Sequence, residues 1–253
     1  MLNIGWFSTG RDEAARQLLV AVQQAIDTGE IDGKISFVFS NREPGEAVES
    51  DSFFDLVRTY QLPLICLPHR QFKASAEKNS EWRRRYDMEA NCLIANFTPE
   101  ICVLAGYMLI IGRELCQRYT MINLHPALPG GPTGSWQEVI WSLINSEAEK
   151  TGVMTHLVTP EVDRGPTIAY CSFPIKGGSF DEYRDKDDRA SLFQLIRRRE
   201  LVREFPLVIL TLKALCKREL KVQDNRVLDR NGNIFRGYDL TKEINCLLGE
   251  SLL

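Results

Sequence analysis

Short apolar runs alternate with amphipathic helical patterns through the first part of this 253-residue chain. The runs are LNIGWFS at 2–8, ISFVFSN at 35–41, PLICLP at 63–68, ICVLAGY at 101–107 and MINLHP at 121–126. Between the first two, Leu18, Leu19 and Val22 recur on one helical face until Gly29. Such alternation predicts parallel strands that are buried on both faces and joined by right-handed crossovers. The predicted fold class is therefore α/β, a doubly wound and mostly parallel sheet.

The pattern changes after residue 150. Two strands, at 152–159 and 167–175, are predicted to be joined by the tight segment Pro160–Pro166. A long helical pattern follows over 187–217, and we expect Pro206 to interrupt it.

The last segment of the chain has turn signals of its own. The run Asp229–Asn233 stands between two apolar pairs and predicts a hairpin, and a final short helix is expected to begin near Asp239. We therefore predict a catalytic domain over residues 1–218, and a C-terminal hairpin and helix appendage over 219–253 that is not an independent domain.

A polar stretch at 74–95 is also helical in period. The apolar residues that we expect on its inner face are Trp82, Met88, Leu93 and Ile94.

Ligands of such sheets bind beyond the carboxyl ends of the strands. This rule predicts a site built from Ser8–Arg11, Asn41, Tyr107–Ile111 and Asn123–Gly131.

Composition excludes several classes of partner. The formal net charge is −3, which gives no general attraction to nucleic acid or to anionic membranes. No apolar run approaches the roughly 18 residues that a membrane span requires, so no membrane association is expected. The seven cysteines include no C-x-x-C pair. Scattered thiols of this kind predict a reducing, cytoplasmic setting without a disulfide framework or a metal site.

Asn123 and His125 stand where an apolar run ends. Residues two apart in a strand share a face, so both side chains can reach the same reacting atom. A carboxamide and an imidazole can donate hydrogen bonds to an oxygen that gains negative charge. Asp163 lies in a turn fixed by Gly165 and Pro166. A buried carboxylate near His125 would raise the pKa of its ring and orient it.

Two long segments resemble the folate-dependent formyltransferases. They are VLAGYMLIIGRELCQRYTMINLHPALP at 103–129 and THLVTPEVDRGPTIAYCSFPI at 155–175. The likeness extends from residue 2 to about residue 220 and includes FSN at 39–41 and FPLV at 205–208. It implies the formyltransferase fold and transfer of a formyl group from 10-formyltetrahydrofolate to a primary amine. No metal is implied.

The resemblance also implies roles for individual residues. The catalytic residues would be Asn123, His125 and Asp163. The residues that bind the folate would be Met108, Leu109, Ile110, Ile111, Arg83, His156 and Val162. The residues that bind the amine substrate would be Ser8, Thr9, Gly10, Arg11 and Glu200.

The loop after the first strand departs from the family's pattern. The family anchors the substrate phosphate in a Gly-x-Gly-Ser-Asn loop, whereas this chain keeps only Gly10 and has Asp12 and Glu13. Backbone amides and Arg11 can still bind a phosphate. Equally, the two acids can simply cap the following helix. Both interpretations stay open at this point.

Three functions remain for the chain as a whole. The first is formyl transfer to glycinamide ribonucleotide, a small phosphorylated amine of purine synthesis. The second is formyl transfer to a different amine, such as an amino-sugar nucleotide. The third is a folate- or nucleotide-binding protein without turnover. A homodimer is compatible with each, and the tail after residue 219 could take part in its contact.

Overall fold

An eight-stranded sheet forms the centre of the computed structural model, which describes residues 1–74 and 79–250. The strands of this sheet are β1 (Leu2–Phe7), β2 (Gly33–Ser40), β3 (Leu64–Cys66), β4 (Ile101–Leu104), β5 (Met121–His125), β6 (Lys150–Leu157), β7 (Thr167–Pro174) and β10 (Tyr238–Asp239). Two further strands, β8 (Leu220–Gln223) and β9 (Arg226–Asp229), form a separate two-stranded sheet. The helices are α1 (Glu13–Asp27), α2 (Val48–Thr59), α3 (His69–Ala74), α4 (Asn79–Ile94), α5 (Arg113–Arg118), α6 (Trp136–Asn145), α7 (Ser179–Asp185), α8 (Arg189–Cys216) and α9 (Thr241–Leu247).

The order of the strands confirms the predicted fold class. The sheet runs β10-β7-β6-β5-β4-β1-β2-β3, and β1 to β5 pair in parallel. β6 is antiparallel to both β5 and β7. The side chains of β1 alternate between two cores: Ile4 and Trp6 belong to one, and Phe7 belongs to the other. Apolar side chains on both faces explain why the strands read as unbroken apolar runs.

Helix α8 runs unbroken through Pro206, so the predicted interruption there is wrong. Proline lacks the N–H that would bond to the carbonyl of Val202, which ordinarily weakens a helix. Buried side chains before and after the proline, among them Ile196 and Leu212, hold both halves of α8 in place. Neither α8, with its 28 residues, nor any other helix within 1–74 and 79–250 has an apolar stretch long enough to cross a membrane.

The tail after residue 218 forms a hairpin and a helix, although the hairpin turns earlier than predicted. β8 and β9 are joined at Asp224 and Asn225, which have φ of 51° and 55° as a tight hairpin turn requires. The predicted turn Asp229–Asn233 follows, closed by a bridge from Leu228 to Ile234. β10 then adds to the edge of the main sheet beside β7. The division into a domain and an appendage at residue 218 stays a prediction.

Helix α4 has a different inner face from the predicted one. Met88 and Leu93 are 49% and 40% exposed. The buried side chains follow a four-residue spacing, Trp82, Tyr86, Ala90 and Ile94, with Asp87 beside them. One polar residue therefore occupies an inward position that the apolar pattern did not indicate.

Candidate active site

A cavity of about 430 Å³ opens beyond the carboxyl ends of β1, β4 and β5, where the sheet topology predicts a ligand. Its lining includes the catalytic candidates Asn123, His125 and Asp163, together with His156, which was predicted to bind the folate. Its apolar wall includes Tyr107, Met108, Leu109, Ile110, Ile111, Val158 and Val162. A polar part is formed by Arg11, Asp12, Ser135, Trp136, Glu138, Arg197 and Glu204. A cavity of this size, mostly apolar with a few converging polar groups, suits a small organic ligand.

Asp163 lies at the centre of the candidate catalytic group. Its Oδ2 is 3.6 Å from His125 Nδ1, and its Oδ1 is 3.6 Å from His156 Nε2. The amide Nδ2 of Asn123 donates to Asp163 Oδ1 at 3.3 Å and lies 3.2 Å from His156 Nε2. The structure therefore brings together the four residues that the sequence singled out on β5, on β6 and in the following turn.

The backbone hydrogen bonds of the two histidines define their tautomers. His125 Nε2 is 2.8 Å from the carbonyl oxygen of Pro132, and His156 Nδ1 is 2.8 Å from that of Leu157. A carbonyl can only accept, so each of these nitrogens carries a proton. Neutral His125 therefore has a bare Nδ1 facing Asp163.

Burial reverses the expected effect on His125. The ring is 2% exposed, and burial lowers the pKa of His125 below its ordinary value of 6.5. The Pro132 carbonyl and the Asp163 carboxylate raise this pKa, but by less than burial lowers it. Asp163 thus raises the pKa of His125 as predicted, but burial outweighs it, so neutral His125 is the form that prevails near pH 7.

The pKa of Asp163 moves the other way. Burial raises it, but the hydrogen bond with His156, the charge of His125 and the Gly134 N–H together lower it below 3.8. Asp163 is therefore a carboxylate at neutral pH, beside two rings that can accept a proton.

The turn that presents Asp163 has an unusual backbone. Asp163 has a left-handed φ of 53°, and the Gly134 N–H donates to its Oδ2 at 3.1 Å. A Cβ at Gly165 would lie 1.8 Å from the carbonyl oxygen of Leu157, so this position requires glycine. The chain thus accepts a strained conformation in order to point this carboxylate at the two histidines.

The residues proposed to hold the folate divide into two groups. Met108, Ile110 and Val162 are 41%, 45% and 44% exposed at the cavity, which is unusual for large apolar side chains and suits a flat ring. Leu109, Ile111 and His156 line the cavity as well. Arg83 does not line it, because its guanidinium lies over the Trp82 ring, 5.6 Å from the centroid.

The loop after β1 positions its neighbours and presents one cation. Ser8 and Thr9 are buried. Thr9 Oγ1 donates to Asn41 at 2.7 Å and accepts from the Met108 N–H at 2.8 Å, so this side chain supports the loop that forms the apolar wall of the cavity. Gly10 has a φ of 61° and lies too close to Phe53 for a side chain.

Arg11 and Asp12 resolve the open question about this loop in part. Asp12 accepts from the Ala15 N–H at 3.0 Å and caps α1, which supports the capping interpretation for that acid. Arg11 lines the cavity and lies 3.6 Å from Asp12. A cation at the cavity therefore remains available for an anionic substrate.

The glutamate of α8 at the cavity is Glu204, one helical turn after the predicted Glu200. Glu200 is fully buried and does not line the cavity, whereas Glu204 does. Arg197 Nη1 lies 2.6 Å from Glu204 and 3.5 Å from Glu200, with its guanidinium over the Trp136 ring. Sequence reasoning missed Trp136, Arg197 and Glu204. The seven-residue spacing of Arg197 and Glu204, which places both on one helical face, is the signal that could have found that pair.

Glu200→Gln is expected to stabilise the protein by about 1 kcal/mol at pH 8, the usual size of a favourable single substitution. Burial and the charge of Glu204 raise the pKa of Glu200 well above 4.5, so above pH 4.5 the folded protein keeps a proton on Glu200 that the unfolded chain loses. Stability from this group is therefore lost as pH rises above 4.5, and the gain from glutamine should grow with pH. Urea unfolding at pH 5 and pH 8 measures the difference.

Glu204→Gln is the matched comparison, since it makes the same change of side chain one turn further along α8. It should raise KM for the amine substrate about 10-fold, as expected for loss of a charged hydrogen bond. Glu200→Gln should leave this KM within about two-fold of wild type. Equal effects of the two variants would contradict the assignment of Glu204 to the cavity.

Comparison with known proteins identifies the family of the chain. The family model described as formyl transferase matches residues 13–186, more than half of the chain. The chain belongs to the formyl transferase family. The matched segment includes Asn123, His125 and Asp163, and it ends before α8.

Curated relatives of this formyl transferase include two bacterial phosphoribosylglycinamide formyltransferases. The protein of Escherichia coli K12 is 28% identical over 170 residues, 65% of this chain and 71% of the relative. That of Haemophilus influenzae is 26% identical over 209 residues, 82% of this chain and 85% of the relative.

A solved structure shows the same fold. Phosphoribosylglycinamide formyltransferase from Coxiella burnetii superposes with a TM-score of 0.72 at 21% identity, covering 94% of this chain and 98% of that one. The formyltransferase fold expected from the sequence is thereby confirmed.

Proposed function

We propose that this protein transfers the formyl group of 10-formyltetrahydrofolate to the amino group of glycinamide ribonucleotide, a reaction of purine synthesis. The observation that most supports this is the grouping of Asn123, His125 and Asp163 at one cavity that has both an apolar wall and a polar part. Relatives that carry the name of this activity match the chain over most of their length. They support the choice of glycinamide ribonucleotide as the acceptor.

The proposed reaction begins with attack of the amine nitrogen on the formyl carbon. The formyl oxygen gains negative charge, and the N–H of His125 Nε2 is the donor that meets it once the Pro132 carbonyl is displaced. The amine nitrogen then gives a proton to the bare Nδ1 of His125, the bond from the formyl carbon to the folate nitrogen breaks, and the ring passes that proton to the folate nitrogen. Asp163 stabilises the positive charge on His125 while the ring holds the transferred proton.

The acceptor is assigned to the polar part of the cavity. Arg11 and Arg197 are the cations that can meet a phosphate there, and Glu204 can accept from hydroxyl or ammonium groups. Both cations already lie beside carboxylates, Arg11 beside Asp12 and Arg197 beside Glu204. Binding of a phosphate would therefore replace existing ion pairs. This favours a formyl acceptor whose other polar groups add contacts to those of its phosphate.

The assay is release of tetrahydrofolate from 10-formyltetrahydrofolate with a panel of amines. Turnover with glycinamide ribonucleotide, dependent on that amine, is the expected result. Turnover with an amino-sugar nucleotide alone would replace the acceptor. Folate binding without turnover on any amine of the panel would reject the enzyme function.

We further propose that the reaction takes place in the cytoplasm. Scattered cysteines without a C-x-x-C pair support this proposal. A homodimer stays a prediction that measurement of mass in solution would test.

A further inference from the structure

Helix α4 holds the loop that forms the apolar wall of the cavity at both ends. At the first end, the Tyr86 hydroxyl donates to the Leu67 carbonyl at 2.8 Å and lies 3.3 Å from the hydroxyl of Tyr107. At the second end, the next residue of the helix, Asp87, meets Gly112. Met108–Ile111 lie between these two contacts.

The contact between Asp87 and Gly112 is unusually close. A Cβ at Gly112 would lie 2.1 Å from Asp87 Oδ2. The backbone of Gly112, with φ −83° and ψ 176°, is one that any residue can adopt. The carboxyl of Asp87, and not the backbone, is therefore the reason for a glycine at this position.

Asp87 is also incompletely satisfied. The residue is 2% exposed, and its Oδ2 has no hydrogen-bond partner. The Gly112 N–H lies near the carboxyl and favours its charged form. Gly112 is the N-cap of α5, which has no side-chain cap of its own, so a negative charge from α4 takes that place.

Charged and titratable groups surround this carboxyl on three elements. They are Arg83 and Tyr86 on α4, Tyr107 in the loop, and Glu114 and Cys116 on α5. Burial, followed by the charge of Glu114, raises the pKa of Asp87 to about 7, while Gly112 and Arg83 lower it. Glu114 is itself paired with Arg84 at 3.4 Å. A pKa of about 7 means that Asp87 changes its charge near neutral pH.

We infer that Asp87 is a positioning residue for the folate: its ionised form holds the Gly112 amide and so fixes the far end of the Met108–Ile111 segment. This inference rests on the proposed function, because it assigns that segment to folate binding. It adds that affinity for the folate depends on the ionisation of a side chain that does not line the cavity.

The direction of the effect follows from the contacts. A carboxylate attracts the Gly112 N–H, the N-terminus of α5 and Arg83, whereas a protonated carboxyl attracts all three weakly. Protonation of Asp87 therefore loosens the end of the loop, and KM for the folate rises as pH falls. The Asn123, His125 and Asp163 group is untouched, so kcat should not follow this titration.

Steady-state kinetics of wild type, Asp87→Asn and Glu89→Gln between about pH 6 and pH 8 test the inference. Wild-type KM for 10-formyltetrahydrofolate should fall as pH rises. Asp87→Asn should show a flat KM, about 10-fold above wild type at pH 8, a change of about 1.4 kcal/mol. Glu89 is exposed on the same helix, and its variant should keep the wild-type profile.

A second pair of variants covers the case in which Asp87→Asn folds poorly. Gly112→Ala places a methyl group against the carboxyl and should raise KM in the wild-type background. In an Asp87→Ala background the same change should have little further effect, because the opposing oxygen is gone. If the two substitutions raise KM independently, so that their fold-changes multiply, the direct contact between Asp87 and Gly112 is contradicted.

Hydrogen exchange of the Met108–Gly112 amides, corrected for the intrinsic pH dependence, separates this inference from the proposed function. Protection that falls below pH 7 in wild type and is constant in Asp87→Asn supports it even without substrate. An unchanged wild-type profile of KM or of exchange in Asp87→Asn would overturn the inference. Absence of turnover in wild type, with the exchange profile as expected, would reject only the proposed function.

Discussion

His125→Ala is expected to lower kcat about 1,000-fold, or about 4 kcal/mol of transition-state stabilisation. The ring supplies the Nε2 proton that can meet the formyl oxygen, and it is the group that Asp163 stabilises when charged. KM for the folate should change little, because the apolar wall that binds it is intact. Single-turnover kinetics measure the chemical step directly.

The matched control is His69→Gln. His69 lies outside the cavity, with its Nδ1 3.3 Å from the Asn41 side chain, and glutamine can keep that contact. We expect its kcat to stay within about two-fold of wild type. Near-normal turnover of folded His125→Ala would disprove the proposed mechanism.

Asp163→Asn should lower kcat about 100-fold, in the range for loss of assistance to proton transfer. It removes a carboxylate that raises the pKa of His125, in a ring that burial already disfavours as a cation. The pKa of His125 should therefore fall further in the variant. Proton NMR of the histidine rings between about pH 4 and pH 8 measures that shift.

Asp187→Asn is a close control for this substitution. Asp187 also has a left-handed backbone, with φ of 51°, but it is exposed and does not line the cavity. Loss of activity in Asp187→Asn comparable to that in Asp163→Asn would show that the effect arises from the backbone conformation. An unchanged His125 titration in Asp163→Asn would show that the two side chains do not interact.

The sequence predicts the fold well because the central strands are buried on both faces. Short apolar runs such as those of β1 and β4, bounded by turn residues, are typical of strands that are buried on both faces of a parallel sheet. The errors occur where packing overrides local preference. Pro206 would end an isolated helix, yet buried residues on either side of it keep α8 continuous. In α4, Asp87 occupies the inward position and Met88, the next residue, is exposed, so the predicted inner face is wrong at that position.

The site is predictable where spacing alone sets the geometry. Asn123 and His125 share a strand face by a rule that needs no tertiary structure. Glu200 and Glu204 differ by one helical turn, and only the packing of α8 decides which one lines the cavity. The direction of the pKa shift of His125 cannot be predicted from the sequence either. It depends on whether burial lowers this pKa by more than the Asp163 carboxylate raises it.

The hydrogen bond between His125 and Pro132 has a consequence for how binding energy is used. The N–H of His125 Nε2 already donates to the Pro132 carbonyl. When the substrate binds, the formyl oxygen replaces that carbonyl, so one neutral acceptor replaces another. That exchange adds little to ground-state affinity. An oxygen that develops charge is a stronger acceptor than the Pro132 carbonyl, so the gain comes mainly at the transition state. In the free protein, the Pro132 carbonyl therefore competes for the hydrogen bond of His125 Nε2, and only the charged oxygen of the reacting substrate is a clearly stronger acceptor.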